Sequence, residues 1–422
     1  MIIVDYSGIA LASIIINKTN DEELIRHMIL NSLRMYYSRY KDQYGEMVLA
    51  VDAANNWRRK AFPQYKANRK KHRQESDFNW DEAFRILNLV REEILENMPY
   101  RVIKIDGCEA DDVIGTLVYE KSQDEFNPEA IMIVSSDRDF LQLQKFNNVK
   151  QFSPLKKEEM SEPRPRVFLQ NHIIRGDKGD GVPNILSDDN VFVEGFRQTP
   201  MSQKKVDAII EDVEEGELLY AASWYRNYCR NKKLIDLSET PSELKTQIIN
   251  SYNEQDPWPK KGKVFPYFVS KRLNNLIESV QVYLMKQYVF EVLEEMAKQR
   301  SRDDKVRVLK ENETWALKDI IRGSMDTSVK WNLPEGEPPY TAAAAHNHPT
   351  NLRKQNGQFK YFVQGGPGDK MAKFKREQIF IGILEGVHPE DAKLVINMIN
   401  KKKIPGISRP VVEEAFPKLL QD

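Results

Sequence analysis

The chain lacks the features that would place it outside the cell or in a membrane. Two cysteines among 422 residues, Cys108 and Cys229, cannot build a disulfide framework. No apolar stretch is long enough to span a bilayer, and Met1 leads into a strand pattern with no signal peptide, so a reducing cytoplasm is expected. Net charge is lacking too: Lys plus Arg number 63 and Asp plus Glu number 63, so only local clustering of charge can point to a partner. The length exceeds one usual domain and predicts an α/β domain with further elements.

What is present is a series of hydrophobic runs that end in acid. I-I-V-D closes at Asp5 and V-L-A-V-D at Asp52; G-C-E-A-D-D carries Glu109, Asp111 and Asp112; I-V-S-S-D-R-D carries Asp137 and Asp139; G-D-K-G-D adds Asp177 and Asp180. Ile2–Val4, Met47–Val51 and Ile131–Val134 are short, β-branched-rich runs alternating with helical patterns, as buried strands of a parallel sheet do. Ligands of such sheets bind beyond the carboxyl ends of the strands. Asp5, Asp52 and Asp137 should therefore gather at one rim. A helix over Val113–Lys121 would follow the E-A-D-D turn, with Glu109 and Asp112, three apart, on one face toward that rim.

Carboxylates so crowded raise one another's pKa, and hard divalent cations remove the conflict. Mg²⁺ takes oxygen ligands and keeps several waters, so some carboxylates should hold it only through water. Two such ions can activate a water and stabilise the leaving oxygen in phosphodiester hydrolysis.

Basic residues concentrate after Asp52. Trp57-Arg58-Arg59-Lys60 is followed by Phe62-Pro63-Gln64-Tyr65-Lys66-Ala67-Asn68-Arg69-Lys70-Lys71-His72-Arg73. Cations there would hold phosphates while Phe62 or Tyr65 stacks an unpaired base. A solvated charge run is the bland alternative, but it would not carry rings at intervals.

Asp52, F-P-Q-Y-K-A-N-R, E-A-D-D, S-S-D-R-D and G-D-K-G-D-G-V-P (176–183) together resemble the successive motifs of the structure-specific 5′-nucleases, the flap endonucleases and the 5′-nuclease domains of bacterial DNA polymerase I. W-R-R, V-K-Q-F-S-P (149–154) and P-Y-F-V (266–269) are similar to its T-even phage ribonuclease H branch; the resemblance covers about residues 1–284. It implies an α/β fold: a parallel-sheet PIN-like 5′-nuclease core (1–170) with a helical arch over about residues 56–80, then a helix-hairpin-helix DNA-binding region (171–284). It implies two Mg²⁺ ions, replaceable by Mn²⁺, held by Asp5, Asp52, Glu109, Asp111, Asp112, Asp137, Asp139, Asp177 and Asp180. Catalytic roles fall on Lys66, Arg69, Asp112 and Asp137, the two cations on the scissile phosphate. Nucleic-acid contacts fall on Arg58, Arg59, Tyr65, Lys66, Arg69 and Lys70, and on the backbone at Gly179 and Gly181. The implied substrates are branched or nicked duplex DNA and RNA–DNA hybrids with a 5′ end. A phage single-strand DNA-binding protein and a sliding clamp are the implied partners of a monomer working in the host cytoplasm.

Past about residue 285 the pattern changes. Helices are expected over Tyr288–Lys298, Trp315–Ile321, Pro389–Lys401 and Arg409–Leu420, a charged linker over Arg300–Lys305, and a Pro/Gly/Ala-rich loop over Asn332–Thr350. N-L-P-E-G-E-P-P-Y, F-V-Q-G-G and E-G-V-H-P-E-D-A-K-L resemble a small tailed-phage protein of unassigned function. His346 and His348 read as incidental, and His172 and Cys229 as core or boundary residues.

The expected activity is cation-dependent cutting near the 5′ end of such duplexes, removing RNA primers and flaps from a phage lagging strand. Two rivals remain: a PIN-type single-strand ribonuclease, which lacks the basic run, and a non-catalytic DNA-binding replisome scaffold, which would tolerate broken carboxylate positions. None is broken here.

Overall fold

The computed structural model describes residues 1–67, 78–123, 128–215, 222–257, 260–284, 288–343 and 351–421. The chain divides into two compact units. The first comprises Met1–Tyr36, Met47–Gln123 and Ile131–Lys263; the second comprises Tyr37–Glu46, Asp124–Ala130 and Val264–Asp422.

The first unit is built on a six-stranded sheet. Its strands are β1 (Ile2–Asp5), β2 (Met47–Ala50), β3 (Arg101–Ile103), β4 (Ile131–Val134), β5 (Val149–Ser153) and β6 (Glu158–Met160), in the order β3-β2-β1-β4-β5-β6. All neighbours are parallel except β5 and β6. Around it run α1 (Tyr6–Asn17), α2 (Glu22–Tyr44) as far as Tyr36, α3 (Trp57–Ala61), α4 (Trp80–Asn97) and α5 (Ala110–Lys121), then α6 (Pro165–Arg175), α7 (Gln203–Glu215), α8 (Tyr225–Ile235) and α9 (Ser242–Glu254). The three strands anticipated from sequence are present, fully buried over Ile2–Val4, Met47–Ala50 and Ile131–Val134. Their β-branched and aliphatic side chains have protein on both faces, which accounts for uninterrupted apolar runs.

The strand order reverses at β1: successive strands run outward through β2 to β3, and the chain then crosses back to β4 on the other side. A cleft opens where connections leave in opposite directions, and Asp5, the last residue of β1, stands there. One core joins Ile3, Val48, Ile103 and Ile133 of the sheet to Val113, Ile114 and Leu117 of α5 and to Ile248 and Tyr252 of α9. A second core joins Phe62 and Tyr65 to Ile173 and Ile174 of α6, Val206 and Ile209 of α7, and Leu234 and Ile235 of α8.

The G-D-K-G-D-G segment follows α6 as a turn closed by a bridge between Asp177 and Val182. No helix follows it at once; the next begins at Gln203. The second unit has a helical core of its own, formed by Val289–Lys298, Arg302–Glu311, Trp315–Met325, Lys373–Gly386, Pro389–Ile399 and Arg409–Ala415. The stretch expected to be a charged linker thus starts a helix at Arg302: Ser301 caps it, and Val306, Val308 and Leu309 form its narrow buried stripe. Among the described residues no helix is long and apolar enough to cross a membrane.

Candidate metal centre

Each acidic side chain at the rim is placed by the end of a strand or the start of a helix. Asp5 caps α1, accepting the Gly8 N–H at 2.9 Å on one carboxylate oxygen and the Ser135 hydroxyl at 3.0 Å on the other. Gly8 leaves room for that cap, because a Cβ there would lie 2.8 Å from Asp5 Oδ2 and displace the carboxylate. Asp52 follows β2 and accepts the Ala110 N–H at 2.9 Å, tying that strand end to the first turn of α5. Glu109 precedes α5, and Asp139 opens the 3₁₀ turn Asp139–Lys145. Carboxylates at such N-termini meet the unpaired N–H groups and the positive end of the helix dipole. Asp137 is held from behind, since its N–H donates to Ser135 Oγ (3.1 Å) and its carbonyl accepts from the fully buried Gln151 side chain (2.6 Å).

The electrostatics show that these groups share one space. Burial pushes the Asp5 carboxyl up to about 6, with Asp52 and Asp137 adding to the rise. Burial raises Asp139 to about 7, helped by Asp137, Asp177 and Asp180. Asp111 lies well above the usual carboxylate range, first through burial and then through Asp137, Glu109 and Asp139, against the opposing pull of Lys66. Divalent cations fit this donor set: the oxygens are hard, they come from several elements, and their mutual repulsion is relieved by positive charge. Beside Asp139, a cleft of about 580 Å³ is lined by Asp137, Arg138, Phe168, His172, Arg175 and Asp177.

Two basic side chains reach into the cluster. Lys66, in a left-handed conformation (φ 55°), places Nζ 2.6 Å from Glu109 and 3.3 Å from Asp180, and its N–H donates to the Asp180 carbonyl at 2.7 Å. His172, on the last turn of α6, lies with Nδ1 3.4 Å from Asp139 and Nε2 3.2 Å from Asp177.

The chain shares its motifs and their order with known nucleases. Residues 8–170 match the 5′-3′ exonuclease N-terminal, resolvase-like domain; residues 165–283 match the C-terminal region of T4 RNase H; residues 292–404 match a family of unknown function. Ribonuclease H of Enterobacteria phage T4 is 36% identical over 293 residues, which is 67% of this chain and 95% of that protein. The chain belongs to the 5′-3′ exonuclease family. It is therefore a nuclease that hydrolyses phosphodiester bonds. The 5′-3′ exonuclease of Buchnera aphidicola subsp. Schizaphis graminum is 27% identical over 177 residues, 40% of this chain and 57% of that one. Among solved structures, the T5 D15 protein co-crystallised with metal ions is 16% identical, covering 67% of this chain and 98% of its own, with a TM-score of 0.42.

Within this nuclease, several residues stand elsewhere than the sequence suggested. Asp112 does not face the rim: it is fully buried, and its carboxylate accepts from Arg58 (2.8 Å), Trp57 Nε1 (3.1 Å), the Thr240 hydroxyl (2.8 Å) and the Glu109 N–H (2.9 Å). Its neighbour Asp111 is the one whose charge meets those of Asp137, Glu109 and Asp139. Arg58, expected on nucleic acid, is 1% exposed and spans Asp112, Glu109 and the Leu234 carbonyl. Tyr65 is no stacking platform: its ring is buried, and its hydroxyl donates at 2.8 Å to Glu109 or to Asp180. Gly181 (φ 73°) is packed against the chain, where a Cβ would lie 3.1 Å from the Gln64 carbonyl, and its N–H donates to the Lys178 carbonyl at 3.2 Å rather than standing open to a duplex. Arg59 and Gly179 are exposed, whereas Arg69 and Lys70, with residues 68–77 of the arch expected over about 56–80, lie outside the described residues. His346 and His348 do so as well. His172, expected to be a core or boundary residue, stands instead between Asp139 and Asp177; the signal in the sequence is its place five residues before Asp177, across the turn that ends α6.

The raised carboxyls give a pH dependence with a definite sign. Between their ordinary value of 3.8 and about 6 to 7, folded Asp5 and Asp139 keep protons that the unfolded chain has released. Stability without divalent cations therefore falls as pH climbs through that window and stays low above it. The raised His172 acts in the same direction, adding stability below 6.5 that is lost as pH passes its folded value. In EDTA, Tm should be lower at pH 8 than at pH 6, and saturating Mg²⁺ should remove most of the difference. Thermal melts at both pH values check this, and a flat profile in EDTA would refute it.

Proposed function

We propose that this protein is a divalent-cation-dependent, structure-specific 5′-nuclease that cuts at or near the 5′ end of branched or nicked duplex DNA and RNA–DNA hybrid. Removal of RNA primers and 5′ flaps during phage lagging-strand replication would be its role. The observation that carries the reading is the convergence of Asp5, Asp52, Glu109, Asp111, Asp137, Asp139, Asp177 and Asp180 on the carboxyl edge of the sheet, at its switch point. The similarity to phage T4 ribonuclease H supports the substrate class.

In this reading Asp5, Asp111, Asp137, Asp139 and Asp177 hold two Mg²⁺ ions, directly or through water, with Asp52, Glu109 and Asp180 in support. Mn²⁺ would serve in their place. When bound, such ions lower the pKa of a water and neutralise the leaving oxygen. Lys66, already directed at the cluster, moves its ammonium from Glu109 and Asp180 to the phosphate as charge develops there. Arg58, Asp112 and Thr240 fix Glu109 from behind. Residues 1–170 supply most of this centre, 171–284 add Asp177 and Asp180 to it and make the contacts with duplex, and 285–422 form an extension. That no position of the acidic set is broken disfavours the scaffold reading.

A labelled 5′-flap duplex tests the proposal: cleavage with Mg²⁺, its loss with EDTA, and binding retained throughout. Binding without cleavage under any divalent cation would sustain the scaffold reading instead. Lys66→Ala should lower the cleavage rate by roughly a hundredfold, leaving flap affinity within about threefold. Single-turnover kinetics beside a binding titration separate the two, and an equal loss in both would contradict the role given to Lys66.

A further inference from the structure

We propose that His172 is a metal ligand through Nδ1 beside Asp139, with its other ring N–H held by Asp177, giving one of the two cation positions a nitrogen donor and a preference for Co²⁺ or Zn²⁺ over Mg²⁺. The inference rests on the metal-dependent reading above and adds to it the identity of the donor and the class of cation.

One atom from each of Asp139, His172 and Asp177 falls within a mutual distance of 4.8 Å, the only such group of three among the described residues. The ring is fixed: it belongs to α6 and packs edge-on against Phe168 at 5.9 Å. Nε2 lies 3.2 Å from Asp177 Oδ2, so it is placed to donate its proton there. A neutral imidazole has one N–H only. With that proton committed, Nδ1 turns a lone pair toward Asp139 Oδ1 at 3.4 Å, and Nδ1 is buried with no hydrogen-bond partner. Two lone pairs facing each other in a buried place are unfavourable unless something positive stands between or beside them. Metal-binding histidines recur in this arrangement, one ring nitrogen on the ion and the other N–H on a carboxylate that sets the tautomer. The 580 Å³ cleft beside Asp139 gives an ion room to enter with its waters. Imidazole is a softer donor than carboxylate, so its presence shifts preference along the series from Mg²⁺ toward Co²⁺ and Zn²⁺.

Mn²⁺ is the probe, read by pulsed electron paramagnetic resonance on the full-length protein. The wild type should show ¹⁴N modulation from a directly bound nitrogen. His172→Gln should still bind Mn²⁺ through its carboxylates but lose that modulation. The same substitution should weaken Co²⁺ binding on the order of tenfold or more and Mg²⁺ binding by less than about threefold. Replacing all histidines with ¹⁵N-histidine in the wild type shows whether the bound nitrogen is a histidine's, independently of whether the variant folds. Mn²⁺ bound without nitrogen modulation would mean that the ring is an imidazolium clamped between two carboxylates, and the proposal fails. Unchanged Co²⁺ affinity in His172→Gln also overturns it. Mn²⁺ binding and flap cleavage without nitrogen modulation sink this inference alone; a wild type that binds no Mn²⁺ sinks the proposed function as well.

Discussion

Asp137→Asn should abolish flap cleavage, by at least about a thousandfold or ~4 kcal/mol of transition-state stabilisation, while the folded protein still binds the flap. The size follows from where Asp137 stands. It is exposed at the carboxyl end of β4, and its charge reaches Asp5, Asp111 and Asp139, so it belongs to the space shared by both proposed cations. Asparagine preserves shape but removes the charge that draws a cation into the pocket. The loop should hold, because Ser135 and Gln151 anchor it through the backbone. Tm in EDTA should if anything rise, since one repelling carboxylate is gone. Single-turnover cleavage with a parallel melt checks both parts, and a variant cutting within tenfold of wild type would remove Asp137 from the metal centre.

Arg58→Ala should cost the fold itself. The guanidinium is 1% exposed and pairs with Asp112, which is fully buried, and with Glu109. Deleting one partner of a buried ion pair leaves the other charge uncompensated, a loss of about 3–5 kcal/mol, against a total stability on the order of 5–15 kcal/mol for a domain. The exposed Arg59 next to it gives the contrast. Arg59→Ala should leave stability within about 0.5 kcal/mol and reduce the salt slope of DNA binding by about one. Urea denaturation and salt-dependent binding of the two variants distinguish the roles. If Arg58→Ala melts like wild type and instead loses DNA affinity, Arg58 reaches phosphate and its burial here is not the working state.

That pair of arginines shows what could be read from sequence. Two adjacent cations after an acidic strand end look alike as letters; their difference comes from Glu109 and Asp112, which the fold brings against one of them from fifty or so residues away. Local pattern carried the central strands, because burial on both faces leaves an apolar run whose acidic terminus is visible. It did not carry β3, only three residues long, or the antiparallel β6, whose Glu158 and Glu159 are exposed. Heavy charge hid the Arg302–Glu311 helix, whose buried stripe is narrow. Within E-A-D-D, helical spacing put Glu109 and Asp112 together, but only Glu109 serves the rim: Asp112 turns back to accept the Glu109 N–H, and it is the charge of Asp111 that meets Asp137 and Asp139. His172 had only half a signature, Asp177 five residues on; its second neighbour, Asp139, comes from the loop after β4.

Anomalous diffraction from crystals grown with Mn²⁺ addresses the central claim most directly. Two peaks should appear in the cleft bounded by Asp5, Asp111, Asp137, Asp139 and Asp177, with Lys66 withdrawn from Glu109. Peaks confined to other surfaces, or density in that cleft explained by water alone, would contradict the account.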